Sequence, residues 1–234
     1  MSTLSAVLDR VSRTRHPVVV FDLDSTLFRT TRRNLRILTG FAEEHAHLHP
    51  RLVEVATSLQ PGDVAWHVQT TLRRRGITDP AVLEAQHRYW QDRFFTPEYV
   101  LFDEPTPGAA PFVRACHGAG ALVYYLTGRS RRDLGEVTVT KLLRHGFPCL
   151  EGRVVLHLRP HQQLDEHRYK LEAHAEIRSL GGEVVATFEN DPDHANALLE
   201  SFPAASHFLV GDDHDPAADP PGSGVVAIPD LRLA

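Results

Sequence analysis

The sequence predicts an α/β protein, a parallel sheet with a helical segment inserted near its start, and three observations carry that prediction. Short continuous apolar runs recur along the chain, helix-like segments fill most of the intervals between them, and one long stretch, from Phe28 to about Phe102, holds no such run. A strand buried on both faces needs no alternation of polar and apolar residues, so Val18-Val19-Val20-Phe21 reads as a strand of a sheet covered on both sides. Strands that alternate with helices give a parallel sheet.

The first run ends in Asp22-Leu23-Asp24, so its C-terminal tip turns polar. Further strands are expected at Ala121 to Leu126, Val154 to Leu158, Val184 to Phe188 and His207 to Val210, with a last one at Val225 to Ile228. Helices are expected over Pro111 to His117, Arg131 to His145, Tyr169 to Leu180 and Asp193 to Phe202, the first three closed by Gly118, Gly146 and Gly181-Gly182. Inside the strand-free stretch, Pro61-Gly62-Asp63 is a break before a helix over Val64 to Arg75. Asp79-Pro80 then supplies an N-cap and a first-turn proline for a helix over Ala81 to Phe95. The expected division is residues 1–28 with 103–234 as the α/β core and residues 29–102 as the helical insert. Asp212 to Gly224, rich in Asp, Pro and Gly, reads as a loop.

Composition excludes several classes of function. With 234 residues, 42% hydrophobic and 24% charged, the chain has the make-up of a globular protein, and its net charge of -5 gives no broad basic field for a nucleic-acid backbone. Cys116 and Cys149 are the two cysteines, with no CxxC, which supports neither a disulfide framework nor a cysteine zinc site. Met1 to Pro17 is polar and lacks the apolar core of a signal peptide, and no run reaches the roughly 20 residues that span a bilayer. A cytoplasmic protein with no membrane role is the expectation. The fifteen histidines are scattered and form no ligand pair of the HExxH kind. No pattern bears on oligomeric state.

Chemistry concentrates at the strand tips. Asp22 and Asp24 stand two apart where a buried strand ends and Ser25-Thr26 must turn the chain, so one carboxylate can face a ligand while its neighbour hydrogen-bonds a leaving group. Carboxylates packed this closely repel, and a divalent cation with oxygen ligands, Mg2+, would neutralise them and bind substrate phosphate as well. By itself an Asp-x-Asp is more often the mark of a solvated strand end or of a helix N-cap at Asp24. A second strand, Val123 to Leu126, leads into Thr127-Gly128-Arg129, where the Thr127 hydroxyl, backbone N–H groups and the close approach allowed by Gly128 can cradle phosphate. Only Lys141 and Lys170 are lysines; Lys170, at the head of a helix, is the better candidate for a cationic phosphate clamp, with Arg129 able to share the work. The strand Val184 to Phe188 delivers Glu189-Asn190-Asp191-Pro192-Asp193. Glu189 is then a direct or water-mediated metal ligand, and Asp193 orients Lys170 or holds a metal-bound water. The plainer reading is that Asp191 or Asp193 caps the next helix.

Taken in order, Phe21-Asp22-Leu23-Asp24-Ser25-Thr26-Leu27, Leu126-Thr127-Gly128, Lys170 and Glu189-Asn190-Asp191-Pro192-Asp193 resemble the four signature motifs of the haloacid dehalogenase superfamily, with the helical insert excluded. The resemblance implies a Rossmann-like sheet with the motif strands side by side and an α-helical cap after the first motif. It further implies that Asp22 attacks phosphorus and that Asp24 protonates the leaving oxygen and later activates water. Mg2+ would be held by the Asp22 side chain, the Asp24 main-chain carbonyl and Glu189, while Thr127 and Lys170, with Ser25, Thr26 and Gly128, bind the transferred phosphoryl group. An acid at Asp24 favours phosphoryl transfer over the dehalogenase branch, since halide needs no protonation. The chain departs from the common pattern in having Glu189 where aspartate is usual, and Ser25 where glycine is more usual. Phe208-Leu209-Val210-Gly211-Asp212-Asp213 is a second candidate for the fourth motif, ranked behind Glu189 because it would leave the strand Val184 to Phe188 and its acidic tip without a role. Thr127-Gly128-Arg129 followed by Thr138 or Thr140, Leu142 and Gly146-Phe147-Pro148 bears a local resemblance to the acid-phosphatase-like branch.

The expected function is hydrolysis of a small-molecule phosphate monoester. The alternatives are a phosphotransferase or mutase on the same core and a catalytically quiet metal-binding module. Substrate choice would rest with the insert, where Arg29, Arg32, Arg33, Trp66, His67 and Arg73 to Arg75 are the candidate contacts, although Arg73 to Arg75 read more readily as a solvated helix end and Trp66 as packing between helices.

Overall fold

The computed structural model describes residues 3–233. It forms two compact units, one made of the chain up to Phe28 together with Pro105 onward, the other of Arg29–Glu104.

The first unit is an α/β layer structure. Its strands are β1 (Pro17–Phe21), β2 (Leu122–Ser130), β3 (Val154–Arg159), β4 (Glu183–Glu189), β5 (Ser206–Val210) and β6 (Val225–Ile228), and its helices are α1 (Thr3–Arg13), α2 (Ala109–Gly118), α3 (Arg131–Arg144), α4 (Glu166–Ser179) and α5 (Pro192–Ser201). The six strands pair in parallel in the order β3-β2-β1-β4-β5-β6. Every apolar run that the sequence marks as a strand is one. The pleat sends alternate residues of β1 to opposite faces: Val19 and Phe21 join the core built on α1, α2 and α3, whereas Val18 and Val20 join that built on α4 and α5. Helix α1 falls in a segment that reads as merely polar, yet Leu4, Val7 and Val11 recur at helical spacing and bury one stripe on the sheet.

Helix starts follow their caps. α4 begins one turn earlier than the apolar pattern indicates, because the Asp165 side chain accepts from the Arg168 N–H at 2.7 Å. In the second unit the helices are Thr31–Glu44, Leu52–Ser58, Val68–Arg74, Pro80–Phe94 and Pro97–Val100. Asp79 caps the helix at Pro80 as expected, its Oδ1 accepting from the Ala81 N–H at 2.8 Å. The helix expected from Val64 starts only at Val68, since Asp63 closes a turn on the Gln60 N–H at 2.8 Å and the chain runs extended after it. This unit has its own core of Ile37, Phe41, Leu52, Leu72, Ile77 and Val82 among others. Arg33, a candidate substrate contact, is instead 0% exposed and bidentate to Asp103, with Arg33 Nε donating to Asp103 Oδ1 at 2.8 Å. Trp66 is 37% exposed rather than packed between helices.

One packing feature fixes the functional edge of the sheet. Phe21, Phe188 and Phe208 occupy paired positions on β1, β4 and β5, and their rings stack with centroids 4.9 and 4.8 Å apart. Phe112 of α2 meets the first two rings edge-on at 6.2 and 5.3 Å. Asp22 and Glu189 are the next residues along β1 and β4, so the stack is the floor on which both acids stand. Phe188→Ala should cost about 3–5 kcal/mol of stability through the cavity it opens. Chemical unfolding of the variant would show this; a loss under about 1 kcal/mol would mean the stack is not the floor described.

Candidate active site

The order of strand addition reverses between β1 and β4: from β1 the chain builds β2 and β3 on one side, then crosses to build β4, β5 and β6 on the other. The carboxyl ends of the strands at such a switch open into a crevice, because the connections leave in opposite directions. Asp22 and Glu189 flank it. The Asp22 N–H still donates to the Phe188 carbonyl at 3.0 Å, which carries the strand pairing one residue past β1 and holds the acid in place.

Lys170 of α4 joins the two acids, its Nζ donating to Asp22 Oδ1 at 2.9 Å and Glu189 Oε1 at 2.5 Å. All three are buried. Burial pushes the Asp22 carboxyl up to about 6, with Lys170 pulling the other way. Burial, and then the Asp22 charge, push Glu189 up to about 8 against the same lysine. For Lys170, burial favours the neutral amine, but Asp22, Glu189 and Glu166 outweigh it and hold the ammonium well above its usual range. His194 approaches Lys170 Nζ at 3.3 Å and is driven down to about 2 by burial and that cation, so it is neutral.

The loop after β1 is tight and strained. Ser25 has φ +60°, a left-handed conformation that costs a non-glycine residue roughly 1–2 kcal/mol. Its hydroxyl donates to Asp213 Oδ2 at 2.6 Å, a bond glycine could not make. Thr26 Oγ1 donates to Asn190 Oδ1 at 3.2 Å, and Asn190 Nδ2 to the Asp213 carbonyl at 2.6 Å, so the tips of β1, β4 and β5 are knotted together.

Asp24 is gripped by Arg129. The guanidinium donates from Nε to Asp24 Oδ2 at 2.9 Å and from Nη2 to Asp24 Oδ1 at 2.7 Å, a fork-to-fork pairing with the arginine wholly buried. Such a pair fixes both the position and the rotation of the carboxylate.

No family model matches the sequence, and no curated protein matches it. Solved structures do match: a HAD-superfamily hydrolase of subfamily IA, variant 1, from Geobacter sulfurreducens, at 12% identity and a TM-score of 0.55, covers 94% of this chain and 95% of its own. A haloacid dehalogenase-like hydrolase from Bacteroides fragilis, at 15% identity and a TM-score of 0.52, covers 91% and 97%. Another from Burkholderia xenovorans, at 17% identity and a TM-score of 0.50, covers 92% and 93%. The fold is that of the haloacid dehalogenase-like hydrolases.

Within this core, Asp22 and Glu189 each meet Lys170, and Asp24 stands two residues beyond Asp22. Thr127 is buried at the tip region of β2, the strand next to β1, but β2 runs on through Ser130 instead of ending at Leu126. Thr127-Gly128-Arg129 is therefore an irregular strand segment, with a register shift against β3, and not a helix start; α3 is capped by Ser130. Arg129 serves Asp24 and is not an open phosphate clamp. Asp193 neither orients Lys170 nor faces the site: it is exposed, while Asp191 caps α5 through the Asp193 and His194 N–H groups at 2.9 and 3.1 Å. The neighbour of Lys170 is His194, one residue further round the helix. Asp212 is exposed on the loop after β5, one strand removed from β1, and it is Asp213 that bonds to Ser25.

The acids here exceed the cations that meet them, a donor chemistry that fits a small hard cation with few protein ligands. Among the described residues no three His, Cys, Asp or Glu side chains close on one point. Glu189 is turned to Lys170 through Oε1, and its Oε2 accepts the Asn190 N–H at 3.0 Å, so ligation through water suits it better than direct ligation. Sequence reasoning missed Asn190, Asp213, His194 and Glu166. Asp213 had a signal, as a member of the second Gly-Asp motif.

Proposed function

We propose that this chain is a Mg2+-dependent phosphatase that hydrolyses a small-molecule phosphate monoester through an aspartyl-phosphate on Asp22. The observation that carries the reading is the Asp22–Lys170–Glu189 contact at the switch crevice, with Asp24 clamped by Arg129 two residues on. Asp22 Oδ attacks phosphorus as the bond to the ester oxygen breaks, and Asp24 gives that oxygen its proton. Asp24 then takes a proton from water, which attacks the same phosphorus and frees Asp22 and inorganic phosphate. Lys170 orients Asp22 and offsets charge on the phosphoryl oxygens, a task shared by the Thr127 hydroxyl. Asp22, the Asp24 main-chain carbonyl and Glu189 through water are the residues that would hold Mg2+, whose chemistry is to neutralise phosphoryl charge. Arg129 holds both Asp24 oxygens, so one bond of that fork opens when Asp24 carries the proton to the leaving oxygen. The insert of Arg29–Glu104 would select the substrate. Among the described residues no helix is long and apolar enough to cross a membrane; a cytoplasmic location is part of the same proposal.

The test is a screen of the purified protein against phosphate monoesters with and without Mg2+. Mg2+-dependent release of inorganic phosphate from at least one small ester is expected. Phosphate transferred to a second substrate hydroxyl instead would make the chain a phosphotransferase, and no turnover of any ester would sink the reading.

A further inference from the structure

Gly128 is covered by an acid. A methyl group added at Gly128 would lie 2.2–2.5 Å from the carboxylate atoms of Glu166, so that side chain rests directly on the segment whose backbone is suited to receiving phosphate. The same carboxylate stands 3.8 Å from Lys170 Nζ and 3.9 Å from Arg159 Nη1. These are ion-pair separations too long for hydrogen bonds, the spacing of an anion smaller than the space between its two cations. Arg159, on β3 at the position paired with Ser130, is 4% exposed. Its Nη1 donates to the Leu164 carbonyl at 2.9 Å, but among the described residues Nε and Nη2 have no hydrogen-bond partner. A buried guanidinium with two idle donors is a group built for an anion that supplies more acceptors than a distant carboxylate does. Glu166 itself is free to leave: it is the first residue of α4 and its side chain is 36% exposed.

We propose that Glu166 is a tethered stand-in for substrate, occupying an anion site formed by Lys170, Arg159 and the Gly128 backbone, and that phosphate displaces it and takes up the idle donors of Arg159. This rests on the phosphatase reading. Arg159 is then a binding residue for the phosphoryl group, and Glu166 a built-in competitor that weakens retention of the product. Charge neutralisation alone separates from displacement by the identity of the partner: a stand-in loses its effect when Arg159 is gone, a distant charge does not.

Calorimetric titration of inorganic phosphate, with magnesium chloride present, needs no turnover and tests this directly. Glu166→Ala and Glu166→Gln should each tighten phosphate binding at least about tenfold, a shift of about 1.4 kcal/mol. Glu172→Gln, which neutralises an exposed acid on the same helix, should leave binding unchanged. Arg159→Gln should weaken binding at least about tenfold and abolish the gain from Glu166→Ala in the double variant. An unchanged or weakened affinity in Glu166→Ala, or an equal gain in Glu172→Gln, overturns the proposal; should Arg159 variants fail to fold, that contrast still decides. Hydrolysis with no tightening in Glu166→Ala sinks this inference alone. Tightening in a protein that hydrolyses no ester sinks the phosphatase reading and leaves the anion site standing.

Discussion

Asp22→Asn is expected to reduce phosphate-ester turnover at least about a thousandfold while leaving the fold intact or more stable. An amide oxygen is a poor nucleophile, and asparagine has the same size and can still accept from Lys170. The stability side follows from burial, which pushes the carboxyl of Asp22 up to about 6. A raised carboxyl value means that the folded state disfavours the ionised form, so a neutral isostere relieves a strain that the wild type carries above that pH. Initial rates and thermal unfolding of the same preparation check both halves. Turnover near the wild-type rate would place the nucleophile elsewhere; lost turnover with a collapsed melting transition would make Asp22 a structural acid.

Lys170→Met should do the opposite to stability. It removes the one ammonium that meets both Asp22 and Glu189 and leaves two buried carboxylates facing each other, which should cost about 3–5 kcal/mol. Turnover should fall at least about a hundredfold as well, since a donor aimed at the phosphoryl charge is gone. Chemical unfolding measures the cost, and a second substitution identifies its origin. Glu189→Gln added to Lys170→Met should recover much of the lost stability. Additive losses in the double variant would show that Lys170 matters for packing and not for charge.

Much of this was legible in the sequence, for a physical reason. Strands of a sheet covered on both faces must be apolar throughout, so Val18 to Phe21 and its counterparts announced themselves, and the polar residues at their tips were the ones left to do chemistry. What escaped notice depends on contacts distant in the chain or on small rotations. Nothing near Arg129 reveals that its partner is Asp24, because the pair is made only when β2 lies beside β1. Asp193 and His194 differ by one helical step, and the capping of α5 by Asp191 turned the acid outward and the imidazole inward. The N-terminal helix was overlooked because its three buried residues are diluted by polar neighbours. Glu166 gave no signal at all, since its significance comes from the missing side chain at Gly128.

The order of strands in the sheet also bears on how the chain is made. β1 is central, yet it leaves the ribosome first, and its partners β2 and β4 begin only at Leu122 and Glu183. Through most of synthesis a bare apolar segment, Val18 to Phe21, waits with both edges unpaired, the condition under which nascent chains associate with one another or with holdases. The insert, whose contacts are local, can collapse long before the sheet does. Refolding of the full chain should therefore be slow and concentration-sensitive, its late phase set by the arrival of β4 beside β1, the same event that brings Glu189 and Lys170 to Asp22.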